Sequence, residues 1–396
     1  MNRSKEKAIS RRTFLNIVGA TTGVVWALSR SSPGFTQSEV RELVAISNTG
    51  DNSVTLIDTA TDTLVKTIAI GSNFSFGANK HFKTTSLIWT GLLADQSKEV
   101  QVIDLAQGKV IKKIATDSTQ NYTETTPDGQ FALSANRFTD TYFKIAADPA
   151  KPNFGEILTN FKTYNNASPC DLTVSPDGKY AYSPDRHSDN FSILDLNSFK
   201  VVATVPVPRL VARSDQKVEP FMGTASRDGK WVFVENVEPP SGTESIFDVS
   251  DPLKPVEVAR LTPKDGLGKG PISDEFTLDG KFNFIINRDS ATISVVELNA
   301  LKIVNTIELA KGGNPITGDF SIDGKKFYIP IQNQNSVIVV DVAQQKAIKT
   351  ISVGPRPAGA IALKTAVPNV LGVSLNSLPI VNRGGDECSL PCCGDR

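Results

Sequence analysis

A tight Asp-Gly turn, set between short runs that alternate apolar and polar residues, returns along this chain at a nearly fixed interval. It stands at Asp128-Gly129, Asp177-Gly178, Asp228-Gly229, Asp279-Gly280 and Asp323-Gly324, with spacings of 49, 51, 51 and 44 residues. The clearest copy occupies residues 169–205, PCDLTVSPDGKYAYSPDRHSDNFSILDLNSFKVVATV. Alternation at period two, broken by Asp-Gly or Asn-Ser, is a strand–turn–strand signal, and four such runs make one antiparallel unit. Glycine in the turn supplies the positive φ that a tight hairpin demands.

A second series fixes the number of units. The third strand of each copy closes on an acid: Asp58, Asp104, Asp148, Asp195, Asp248, Glu297 and Asp341, spaced by 46, 44, 47, 53, 49 and 44 residues. Such acids accept hydrogen bonds from the backbone of the following turn. Seven four-stranded units of this length predict a β-propeller, because a lone sheet cannot bury both faces and must stack on neighbours around an axis. The first unit begins at its second strand, residues 42–47, and the last is followed by an extra inner-strand pattern at 357–363. These two pieces should pair, so that the C-terminal strand completes blade 1 and removes the open edges. The prediction is one all-β, seven-bladed domain over residues 37–366, preceded by an export segment (1–36) and followed by an irregular tail (367–396).

The run Asn52-Ser53-Val54-Thr55-Leu56-Ile57-Asp58-Thr59-Ala60-Thr61, with its echo Asn335-Ser336-Val337-Ile338-Val339-Val340-Asp341, resembles the YVTN-type propeller repeat. The likeness runs over about residues 42–366. It implies the architecture. For activity it implies a choice among periplasmic and surface-layer binding proteins, lactonase-like enzymes and haem d1 propellers, since a fold does not carry a function.

Charge is balanced over the whole chain but not along it. The first 36 residues hold six Lys/Arg and one Glu, leaving 36 basic against 41 acidic residues in the remainder. A mildly acidic body gives no reason to expect nucleic-acid binding. The start Ser10-Arg11-Arg12-Thr13-Phe14-Leu15, followed by an apolar run to residue 28, resembles a twin-arginine export signal. That resemblance implies a periplasmic or otherwise extracytoplasmic protein, exported already folded, with membrane contact only through an uncleaved signal. The apolar run is 15 residues long, short for a transmembrane span.

Aligning the inner strands on Pro169, Pro220, Pro271, Pro315 and Pro357 sends residues two and four places later toward the central channel. Glu124, Asp171, Glu275 and Asp319 then converge on the axis, where carboxylate oxygens suit a divalent cation such as Ca²⁺. The plainer reading is a water-filled polar channel. Loops between second and third strands share a rim with the blade-to-blade connections and gather Arg137, Arg186, His187 and Arg288. A basic rim above an acidic channel suits a small anionic ligand. It also suits a metal-assisted lactonase with His187 or a carboxylate as base.

Three of four cysteines, Cys388, Cys392 and Cys393, fall in the tail. They predict a disulfide, most simply Cys388 with Cys392 or Cys393 and one thiol left for a partner, or a Cu or Zn site, or an unstructured remnant. Cys170 reads as an ordinary inner-strand residue with no thiol neighbour. No P-loop, Rossmann glycine fingerprint, G-x-S-x-G elbow or H-E-x-x-H helix is present. The sequence therefore favours an exported propeller that binds a small ligand, metal or protein partner. A lactonase-type hydrolase stands second and a carrier of non-covalent haem d1 third.

Overall fold

The computed structural model describes residues 40–71, 85–91, 98–117, 122–210, 217–368 and 372. The described residues form seven antiparallel sheets, six of four strands and one of three. The three-stranded sheet is blade 2 (Leu87–Gly91, Glu99–Asp104 and Lys109–Ala115). Residues 72–84, which precede it, lie outside the described residues. Among the described residues no helix is long and apolar enough to cross a membrane. The export segment and the cysteine tail also lie outside them.

Ring closure follows the predicted route. The strand Pro357–Ala366 pairs antiparallel with Val40–Asn48, Leu43 opposite Leu363 and Ala45 opposite Ile361. Blade 1 thus takes its inner strand from the far end of the chain. Blade 7 is then latched to it: the Ile322 amide donates to Glu42 (2.6 Å), and Tyr328 and Lys326 reach Asp62 (2.6 and 2.8 Å).

Local chemistry explains the repeat. All seven third-strand acids accept backbone N–H bonds from the turn they close; Asp58, for example, accepts from Ala60 and Thr61, and Asp341 from Gln344. The five Asp-Gly glycines have φ between +67° and +75°, the left-handed region closed to most L-residues. Outer strands alternate half-buried and exposed residues, as in Lys200–Pro206, whereas the second strands are buried along nearly their whole length. Blades meet through aromatic pairs, including stacked Phe191–Phe247 (centroids 5.1 Å) and edge-on Phe233–Phe276 (5.1 Å).

This arrangement has two faces. At one, the leading proline of each inner strand sits beside the end of the second strand (Pro169 by Asp185, Pro220 by Asn236, Pro271 by Asn287). The Asp-Gly hairpins emerge at the other.

Candidate functional site

The inner strands are tied to one another by polar bonds that cross from blade to blade. Asp171 accepts from the Gly223 amide of blade 5 (3.1 Å), Asp319 from the Ala362 amide of blade 1 (2.8 Å) and Glu124 from the Val174 amide of blade 4 (3.4 Å). Thr224 and Ser273 donate onward to the backbone carbonyls of Asp274 and Ile316. Three of the four carboxylates expected to line the channel therefore also fasten neighbouring blades. Burial first, then the charges of Asp171, Glu124 and Glu235, push the Tyr122 hydroxyl well above its ordinary pKa, placing these acids around one buried phenol.

Glu124 and Glu275 do come together. They line a cavity of about 150 Å³ with Thr173, Ala225 and Arg227. Asp171 and Asp319 are not part of its wall. The cavity residues shortly precede the Asp-Gly turns of blades 3, 4, 5 and 6, so it opens toward the hairpin face.

The rim residues lie at the other end of the same strands. Arg186 is buried and pairs with Glu219 (3.0 Å) above the Phe221 ring (5.7 Å). Arg288 pairs with Asp289 (2.9 Å), and the Arg137 guanidinium stacks on Phe138 (4.4 Å). His187 is half-buried in a 3₁₀ turn, Arg186–Ser188, and its carbonyl accepts from Lys217 (2.7 Å). In blade 4, Val174 pairs with Ala181 and Pro169 with Asp185. Four residues at about 3.3 Å each set rim and cavity about 13 Å apart.

Two features were not foreseen. Cys170, expected to have no thiol neighbour, is disulfide-bonded, and its partner lies outside the described residues, as do Cys388, Cys392 and Cys393. Strand periodicity carries no signal for a disulfide at this position. The second is a trio of buried carboxylates, Glu235, Glu244 and Asp274, with ligand oxygens all within 4.8 Å of one another. Burial, together with their neighbours' like charge, raises Glu235 and Glu244 well above the ordinary carboxylate range. The signal was present in the sequence, since the two glutamates break the apolar pattern of blade 5, but inner-strand alignment alone did not include them.

Comparison with known proteins agrees with this architecture. The YNCE-like beta-propeller family model matches residues 247–368. Among solved structures, the Pseudomonas aeruginosa periplasmic gluconolactonase PpgL is 17% identical, with a TM-score of 0.62 over 83% of this chain and 99% of that one. Dihydro-heme d1 dehydrogenase NirN is 13% identical, with a TM-score of 0.56 over 81% and 74%. Apo AztD from Citrobacter koseri is 11% identical, with a TM-score of 0.56 over 82% and 98%. No curated protein matches the sequence. At these identities the likeness is one of fold. The chain is a seven-bladed β-propeller, and its stretch 247–368, from the third strand of blade 5 through the closing strand, matches the YNCE-like family model.

Proposed function

We propose that this protein is an extracytoplasmic binding protein, exported by the twin-arginine route, that holds a small polar ligand in its channel and presents its rim to a partner. The separation of its charged groups carries this reading. Two carboxylates and a guanidinium share one small cavity, while Arg186 and His187 stand about 13 Å away at the opposite face. A metal-assisted hydrolase needs its base within hydrogen-bond reach of the activated water, and that spacing takes His187 out of the role. A cavity of about 150 Å³ suits a small molecule carrying both signs of charge. PpgL, a neighbour named as periplasmic, is in keeping with an exported protein. For the tail, the disulfide at Cys170 favours sulfur–sulfur chemistry over a Cu or Zn centre.

The test is an inventory of protein exported by its native route. Native mass spectrometry should show a bound small molecule that Glu124→Gln combined with Glu275→Gln releases. Metal-dependent turnover of a lactone panel would install the hydrolase instead. A visible haem spectrum would install the cofactor carrier.

A further inference from the structure

Glu244, one of the trio with Glu235 and Asp274, lies where this fold elsewhere places an apolar core residue, and no other blade puts a carboxylate at the Glu235 position. Glu235 and Glu244 face each other across the second and third strands of blade 5. In the other sheets the third-strand member of that pair is Val54, Val100, Tyr142, Phe191, Ile293 or Val337, each buried. Like charges directly opposite on an antiparallel pair repel. The repeat therefore gains nothing structural from two glutamates here. Asp274 enters from the inner strand of blade 6, at a register position held by Gly223 in blade 5 and Thr123 in blade 3.

The surroundings do not neutralise these groups. Glu235 and Glu244 are 0% exposed, and none of their four carboxylate oxygens has a well-aligned hydrogen-bond partner; the donors that bear on Glu235 are its own backbone amide and the Asp274 carboxyl. Arg260 lies near enough to oppose the upward shift of Glu244. Its hydrogen bonds, however, go to Glu238 (2.9 Å), Glu257 (2.5 Å), Thr243 (3.5 Å) and the Pro208 carbonyl (3.0 Å). A second observation, outside the carboxylates, points to a ligand. Asn283 is fully buried, its amide N–H donates to Asp274, and its carbonyl oxygen has no partner. A proton shared by Glu235 and Asp274 would still leave Glu244 and the Asn283 carbonyl unsatisfied. A divalent cation would take an oxygen from each of the three carboxylates at once, with the Asn283 carbonyl beside Asp274 as a candidate fourth ligand.

From this geometry we infer that Glu235, Glu244, Asp274 and Asn283 form a structural site for a hard divalent cation, Ca²⁺ foremost, clamped between blades 5 and 6. Oxygens mutually within 4.8 Å fit one sphere of Ca²⁺–oxygen radius, about 2.3–2.6 Å. With no His or Cys in the cluster, the donor set selects hard cations over Zn²⁺ or Cu⁺. The site shares no residue with the channel cavity, so it stands or falls independently of the ligand-binding reading.

The test uses the full chain, stripped with a chelator and desalted. Calorimetric titration with Ca²⁺, Mn²⁺, Mg²⁺ and Zn²⁺, with metal content measured after gel filtration, should find one hard divalent cation per chain. Thermal melts should shift upward with Ca²⁺. Glu244→Gln should weaken binding by at least about tenfold. The double variant Glu235→Ala with Glu244→Ile installs residues found at the same register in blades 3 and 6, so it should fold, bind no cation at this site and melt identically with or without Ca²⁺. Wild-type protein that binds no stoichiometric cation, and shows infrared bands of protonated carboxylic acids, would overturn the inference. So would a double variant that still binds Ca²⁺ as tightly as wild type.

Discussion

Asp185 shows how one atom changes the behaviour of a repeat position. The second strand ends on Asn48, Asn136, Asn236 and Asn287 in blades 1, 3, 5 and 6, and on Asp185 in blade 4. In blades 1, 5 and 6 the Asn amide donates to hydroxyls of the third strand, such as Thr292 and Ser294. Asp185 can only accept. It does so from Tyr164 (2.6 Å), Tyr142 (3.5 Å) and Ser192. Burial still outweighs these bonds and lifts its pKa from 3.8 to about 7, with Asp140 adding to the rise. A carboxyl whose folded pKa lies above its unfolded one favours the fold when protonated. Its contribution is complete below about pH 4 and is lost as pH rises through about 7, at about 1.4 kcal/mol per unit of separation. Asp185→Asn should therefore flatten the fall in melting temperature between pH 4 and pH 7 and leave the variant more stable than wild type at pH 8. Thermal melts of the two proteins across that range check it. A parallel pair of curves would mean that Asp185 is already compensated.

At the scale of an element, glycines serve two distinct purposes. Gly280 closes an Asp-Gly hairpin at φ +67°, and a Cβ there would meet nothing within 4 Å. Gly280→Ala should cost only the left-handed backbone, about 1–2 kcal/mol. Gly268, in the connection entering blade 6, has its amide on the Ser294 hydroxyl, and a Cβ there would lie 2.5 Å from the Asn287 side chain. Gly268→Ala must push that side chain off its Thr292 and Ser294 partners. It adds overpacking of about 1–3 kcal/mol to lost hydrogen bonds, so it should prove the costlier substitution. Urea denaturation of both variants ranks them; equal midpoint shifts would show that the connection yields freely. Gly354 approaches Asn48 in the same way at the entry to blade 1. The connection–asparagine contact is thus a recurring joint of the rim face.

At the scale of the molecule, the ring depends on a strand contributed from the far end of the chain. Removing residues 357–366 would leave Val40–Asn48 without its inner partner, and Asp319 without the Ala362 amide that ties blade 7 to blade 1. An unpaired, largely buried strand edge invites pairing with another copy. The truncated chain should melt earlier and associate in a concentration-dependent way, seen by light scattering after size exclusion. A truncated chain that remains monomeric with an unchanged melting temperature would show that six blades and an incomplete seventh suffice.

Strand periodicity, the Asp-Gly turns and the acid closing each third strand carried blade number, strand order and ring closure. Those features arise from local hydrogen bonding and alternation, which neighbouring residues determine among themselves. Inner-strand alignment also brought Glu124 and Glu275 to one cavity. Which acids would meet, and what would hold them, was a different matter. Asp171 and Asp319 engage amides of the next blade, Arg186 is buried against Glu219, and Glu235 and Glu244 confront Asp274 across a blade interface. Each of those contacts joins segments of chain about 30–50 residues apart. Their geometry depends on how one twisted sheet seats on the next, and only the assembled ring decides that.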